Sequence, residues 1–327
     1  MHVRALAAVE RETVAYSLES ELHSPELVRW SRWLDRSPLP IRSYVTERGG
    51  RVIGHVSAIP KRTWIAGDEV SITELVGGWS RPSEGLAKIS PYRRCAEALF
   101  ADHQGPSGDL IYHLEPEGGE RRLGHRYLEY QPVNSLPVLT KRVGLSLVEP
   151  SHAEPIAEFD EQAKWLWDRT SDEFGASTIR DASFLNHRFG EHPLGEFTRL
   201  GVRDSDGVLR GYAVVRPGRR SSTRRFLWIH DWLVPSSERG VGLELQRAAE
   251  HAAREAGCPY VATYLPTWSP WFGELQDQGF RVRASSRFLF ARSKARRFDA
   301  YFLRDRWWNT LADTIVEPEA PLSRLDA

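Results

Sequence analysis

The chain has 327 residues, roughly twice a common domain length of about 150, so length favours two domains over one core. Lys plus Arg and Asp plus Glu number 44 each, and 41% of residues are hydrophobic, which excludes wholesale disorder and a surface devoted to polyanions; no DNA partner is expected. Cys95 and Cys258 stand far apart without CxxC or Cys/His spacing, so neither a disulfide framework nor a metal site is expected. The first residues lack an apolar leader core, and no run of about 18 apolar residues occurs; the expectation is a soluble, cytoplasmic protein with no membrane partner.

In chain order, Ser43 to Arg48 has strand character and runs into a glycine turn, and Gly50-Arg-Val-Ile-Gly54 continues to Pro60. The segment Arg81-Pro-Ser-Glu-Gly85 to Ser90 has no GxG, and Pro91 opens a helix after it. An apolar run ends at Leu114-Glu-Pro116, and Gly124-His-Arg-Tyr127 follows. Proline and serine concentrate between Gly144 and Pro155, which reads as a seam. Beyond it come helical segments at 159–170 and 182–189, then a hairpin from Phe197 to Arg203 and from Gly207 through Gly211 to Pro217. The stretch 226–234 is apolar on both faces, as in a central strand. After a loop at 235–240, Leu243 to Ala256 carries Leu245, Ala248, Ala249, Ala252, Ala253 and Ala256 on one helical face, with Gly257 as cap. A strand at 260–265, a short helix at 271–278 and a last strand at 288–292 complete the half.

Gly50, Gly54 and Pro60 are spaced as Gly207, Gly211 and Pro217 are, and Gly124 and Gly279 stand at nearly the same offset. A period this long means two copies of one domain rather than a solenoid. The domains are expected at 1–146 and 147–327, each an α/β mixed sheet of α+β type.

The chemistry-bearing stretch is Val234-Pro-Ser-Ser237-Glu238-Arg239-Gly240-Val241-Gly242-Leu243, between the central strand and the long helix. Backbone N–H groups and the positive helix end converge there, which suits a phosphate, although the two glycines also suit a simple tight turn. Leu245 stands where a GxGxxG fingerprint needs glycine, and no P-loop lysine follows. Arg239-Gly240-Val241-Gly242, Gln278-Gly279-Phe280 and the strand Gly211-Tyr-Ala-Val-Val resemble the GNAT (GCN5-related N-acetyltransferase) superfamily. The resemblance implies two tandem domains, the first a degenerate copy, and an N-acyltransferase using acetyl-CoA or another acyl-CoA, without metal. It implies that the 234–243 loop holds the coenzyme pyrophosphate and that a splay beside the central strand admits the pantetheine arm. Ser237 and Leu275 depart from the pattern, at positions where the superfamily carries Gln or Arg and often a tyrosine acid.

Three residues are candidates for proton transfer. Strand alternation puts Asp231 with Leu227, Ile229 and Leu233, where a carboxylate is either a general base or a structural group paired with an arginine. His230 is the rival base, and Tyr264 is either the acid for the thiolate or packing material. Trp228, Trp232, Trp268 and Trp271 either line an acceptor pocket or fill the core. His187 and His192 lie five apart before Pro193, a spacing that argues against a metal pair, and there is no GxSxG elbow. Arg216, Arg219, Arg220, Arg224 and Arg225 could grip a phosphorylated or carrier-borne substrate. The expected partner is a small amine. The alternatives are an acyl-CoA-binding scaffold without turnover, or an aminoacyl-tRNA-dependent peptide-bond former.

Overall fold

A computed structural model describes residues 2–6, 41–80, 89–102, 110–116, 128–144, 150–193, 195, 197–218, 225–285, 287–293 and 303–314. In chain order the strands are β1 (His2–Ala5), β2 (Arg42–Arg48), β3 (Arg51–Ile65), β4 (Asp68–Ser80), β5 (Leu110–Pro116), β6 (Gln131–Ser135), β7 (Val138–Arg142) and β8 (Glu154–Pro155). They continue with β9 (Ala176–Thr178), β10 (Thr198–Arg203), β11 (Leu209–Pro217), β12 (Phe226–Leu233), β13 (Tyr260–Tyr264), β14 (Arg281–Arg283), β15 (Arg287–Ser293) and β16 (Trp307–Trp308). The helices are α1 (Ile89–Asp102), α2 (Glu161–Thr170), α3 (Ala182–Leu185, extended by a π turn to Gly190), α4 (Arg239–Glu255) and α5 (Pro270–Asp277).

The chain forms two compact units. The first comprises Met1–Thr63, Glu69–Asn134 and Phe288–Phe302. Its strands run in the order β1-β2-β3-β4-β5-β15-β6. Cys95, Ala96, Leu99 and Phe100 of α1 bury against Val56, Ala58, Leu75, Leu128, Tyr130 and Phe290. Inside this unit Lys61 and Glu74 form a fully enclosed ion pair at 2.7 Å.

The second unit comprises Trp64–Asp68, Ser135–Arg287 and Leu303–Ala327, with a sheet ordered β14-β7-β13-β12-β11-β10-β8. The chain therefore passes between units at 63/64, 68/69, 134/135, 287/288 and 302/303, not at 146/147. The reason is an exchange of strands: β7 lies between β13 and β14, and β15 lies between β5 and β6. The last strand thus completes the first unit's sheet, whereas its position in the sequence points to the second. Short-range pattern specifies a strand and not its partner, so this exchange leaves no local trace. Helix α4 packs Leu245, Ala248, Ala249 and Ala253 into the second core, and Gly257 ends it at φ +66°. It starts four residues earlier than apolar periodicity suggests, because Arg239 to Gly242 contribute its first turn.

The repeat is built into both hairpins. Gly50 (φ +73°) and Gly207 (φ +77°) take the left-handed turn position that favours glycine. A Cβ on Gly54 would lie 2.7 Å from Pro91 of α1, and one on Gly211 would lie 2.8 Å from Val241 of α4, so each glycine lets a helix start close to its strand. Each hairpin also carries a register shift at the same place, between Thr46 and Glu47 and between Val202 and Arg203. The expected correspondence at 124–127 lies outside the described residues.

Candidate active site

Val234 follows β12 and leads through Pro235 to α4, whose first turn folds around the carbonyl of Glu238, accepting from Gly242 N at 3.1 Å. The amides of Arg239, Gly240 and Val241 precede that bond and meet no acceptor among the described residues, so they form the orphan-donor cluster that binds anions. Gly240 is exposed with nothing within 4 Å of a would-be Cβ, which leaves the approach to these amides open. Around them the charges balance. Glu238 pairs with Arg210 and with Arg169, Arg239 pairs with Glu274 at 2.9 Å, and both oxygens of Glu173 accept from Ser236 N at 3.0 Å. Amides so placed suit an anion, and Arg239 beside them is 75% exposed while paired with Glu274.

Gly242 has a different task from the one its place in the loop suggests. A Cβ there would stand 2.2 Å from the Trp271 ring, so this glycine makes room for a buried indole rather than for a ligand. Trp271 donates from Nε1 to Val234 O at 2.8 Å and meets Trp232 edge-on at 5.5 Å. Leu275 is buried on the same helix, and Val241 and Leu243 sit half-buried.

The parallel ladder of β12 with β13 runs from Phe226↔Tyr260 to Ile229↔Thr263 and stops, while β12 continues to Leu233. β12 therefore runs on past its pairing with β13 toward the loop that opens α4.

The face assignments on β12 are corrected by a bulge. Ile229 pairs with Val215 but Asp231 pairs with Val214, so His230 is an extra residue and the alternation reverses across it. Asp231 thus faces away from Leu227 and Ile229, on the side of Tyr212 and opposite α4. There it is held in a closed network. Tyr212 donates to Oδ2 at 2.8 Å, Thr310 Oγ1 donates to Oδ1 at 2.8 Å, and the Arg180 guanidinium lies 3.4 Å from Oδ1. Arg180 also bonds Asp313 at 2.6 Å and Ser177 and Thr178 O at 2.7 Å, and the side chains of Arg180, Asp231 and Asp313 have no exposed surface. Burial would loosen the Arg180 proton, but the two carboxylates outweigh it and raise its pKa. Burial first, and then the Asp231 charge, push the Tyr212 phenol up as well. With both oxygens engaged and no solvent contact, Asp231 takes the structural alternative, paired with an arginine, and not the general base.

His230 is buried, meets Phe197 edge-on at 4.9 Å, and keeps Nδ1 without a hydrogen-bond partner. Burial, then the charges of Arg216, Arg188 and His192, hold its pKa well below the ordinary imidazole value. Tyr264 is buried and stacks on Trp228 at 5.6 Å, beside the point where the strands part. Of the four tryptophans, Trp228, Trp232 and Trp271 fill the core, whereas Trp268 lines a cavity of about 750 Å³ with Trp64, Phe174 and Glu173.

The other clusters resolve without a ligand. His187 Nδ1 bonds Glu191 at 2.7 Å, and among the described residues no group of His, Cys, Asp and Glu is placed to hold a metal. Arg216 lies over Phe197 at 4.5 Å and Arg225 over Tyr260 at 5.2 Å, so both are spent on aromatic faces; Arg219, Arg220 and Arg224 lie outside the described residues. Sequence reasoning missed Arg180, Asp313 and Glu173, whose partners lie 51 to 133 residues away. No described helix is long and apolar enough to cross a membrane.

The amide cradle, the parted strands and the bulged central strand define the GNAT fold, and comparison with solved structures agrees. A probable N-acyltransferase from Enterococcus faecalis matches with TM-score 0.64 at 14% identity, over 89% of this chain and 72% of that one. A GCN5-related N-acetyltransferase from Anabaena variabilis matches with TM-score 0.62 at 14% identity, over 89% and 73%. Saccharomyces cerevisiae N-myristoyltransferase, solved with myristoyl-CoA, matches with TM-score 0.57 at 12% identity, over 94% and 84%. No family model and no curated protein sequence matches the chain.

Proposed function

We propose that the chain is an acyl-CoA-dependent N-acyltransferase whose second unit holds the coenzyme and performs the transfer. The observation that carries this reading is the end of the β12 and β13 ladder at Ile229↔Thr263, beside three amides of α4 without acceptors. An extended pantetheine arm can add to the free edge of β12 while the pyrophosphate rests on the cradle. The amine nitrogen bonds to the thioester carbon, the carbon–sulfur bond breaks, and one ammonium proton goes to solvent and a second to the departing thiolate. Asp231 keeps β12 in place from behind; Tyr264 stacks on Trp228 near the end of the paired ladder, and His230, packed on Phe197, stays neutral at pH 7. The similar proteins named above, one of which binds myristoyl-CoA, support acyl-CoA as cosubstrate; acetyl-CoA is the first acyl donor to try.

The amide chemistry is testable at Arg239, the first helical residue, where proline is tolerated and deletes one N–H. Arg239→Pro should weaken coenzyme A binding in calorimetry at least tenfold with little loss of melting temperature, whereas Arg239→Ala, which keeps the N–H, should weaken it less. Equal effects would remove the cradle from the reading. A scaffold that binds acyl-CoA without turnover is favoured by one observation: Leu275, where the superfamily often carries a tyrosine acid, is a buried apolar residue of α5. Thiol release across an amine panel separates the two.

A further inference from the structure

The cavity beside the loop has a chemistry of its own. Its walls include Trp64, Phe174 and Trp268 and the carboxylates of Asp172, Glu173 and Asp305, with Arg306 the one basic residue lining it among the described residues. Phe174 is fixed by stacking on Trp308 at 4.9 Å, and Trp268 meets the same indole edge-on at 6.4 Å. The turn at Ala66 and Gly67 is tied down by Ala66 N donating to Gly175 O at 2.9 Å, and Gly175 N and Ala176 N both donate to Arg306 O at 3.0 Å. The walls are therefore built by hydrogen bonds and ring packing. Asp172 and Asp305 are exposed and take no hydrogen bond or ion pair among the described residues, while Glu173 leans on Ser236 N. Three carboxylates against one guanidinium, in a recess walled by indoles, attract cations twice over, through charge and through the negative faces of the rings. An anionic or long apolar guest would meet unpaired carboxylates instead.

We infer that this cavity takes a ligand with two or more ammonium groups, a di- or polyamine, as the acyl acceptor. That it is a binding site stands on the cavity alone; that its occupant is acylated rests on the proposed function. About 750 Å³ is ample for such a chain, within the range of small-molecule sites. Glu173 joins the cavity to the loop that opens α4, so one ammonium can stay among the carboxylates while another nitrogen extends along the loop.

Calorimetry on the full chain without coenzyme tests it, with spermidine as probe and propylamine and glutarate as comparisons. Spermidine should bind with one-to-one stoichiometry at least tenfold more tightly than propylamine, and glutarate should not bind. Asp172→Asn with Asp305→Asn, both at exposed positions, should weaken spermidine at least tenfold, and Glu255→Gln with Asp277→Asn, exposed on α4 and α5, should not. Absence of saturable spermidine binding, or equal weakening by both pairs, overturns the inference. Adding acetyl-CoA then separates the two readings. Spermidine binding without thiol release leaves the site standing and sinks the transferase, while thiol release with monoamines and no spermidine binding does the reverse.

Discussion

Gly240 and Gly242 are two residues apart in one loop, and substitution by alanine should give opposite results. At Gly242 the new methyl would sit 2.2 Å from two atoms of the Trp271 ring, which is buried and cannot swing aside without giving up its bond to Val234 O. Overpacking of this kind costs about 1–3 kcal/mol and the lost hydrogen bond about 1 kcal/mol. Alanine returns about 1 kcal/mol of helix propensity, leaving a net loss of about 1–3 kcal/mol. For a cooperative unit of this size that is a fall in melting temperature of roughly 2–12 °C. At Gly240 the methyl meets nothing within 4 Å, so stability should hold or rise by up to about 1 kcal/mol. Thermal melts followed by far-ultraviolet circular dichroism read both variants, with tryptophan fluorescence reporting the indole. Equal melting temperatures for the two would refute the packing role given to Gly242.

Asp231→Asn removes one carboxylate of a fully enclosed network and should lower stability by about 3 kcal/mol or more, while the surviving folded protein keeps its coenzyme affinity; normal stability would reject the structural role. His230 binds its proton less readily when folded, so the unfolded chain takes up more protons as pH falls below about 6.5. Stability should therefore be full above pH 7 and decline below 6.5, by up to about 1.4 kcal/mol per pH unit, and His230→Phe should flatten that slope in denaturant titrations. Glu173→Gln removes a negative charge from the edge of the amide cradle and should tighten coenzyme A binding about twofold to fivefold in calorimetry, an effect that shrinks in high salt.

What the sequence made legible was local. Gly50 and Gly207 announce a tight turn, and the alanine face of α4 its burial, because each constraint acts within a few residues. The cradle at 239–241 was readable for the same reason. Asp231 was placed on the wrong face because a single inserted residue at His230 reverses parity, and a bulge has no composition of its own. Its partners were out of reach: Arg180 comes from 51 residues upstream and Thr310 from 79 downstream. Trp271 stood open between acceptor pocket and core until the space above Gly242 was known.

The exchanged strands bear on how the chain comes off the ribosome. When residues 1–142 have emerged, β15 is still unmade, and β5 and β6 lack the strand that joins them. Meanwhile β7 waits for β13, which is translated more than a hundred residues later, for the pairing Tyr260↔Arg142. Neither sheet closes until nearly the whole chain is out, so the slow step should be long-range strand docking, not formation of either half. A fragment beginning at 147 leaves the edges of β13 and β14 bare and should aggregate, and one beginning at 135 carries β7 with it and should stay in solution longer. The exchanged strands leave a molecule whose two units cannot be separated at the point where the sequence pattern repeats.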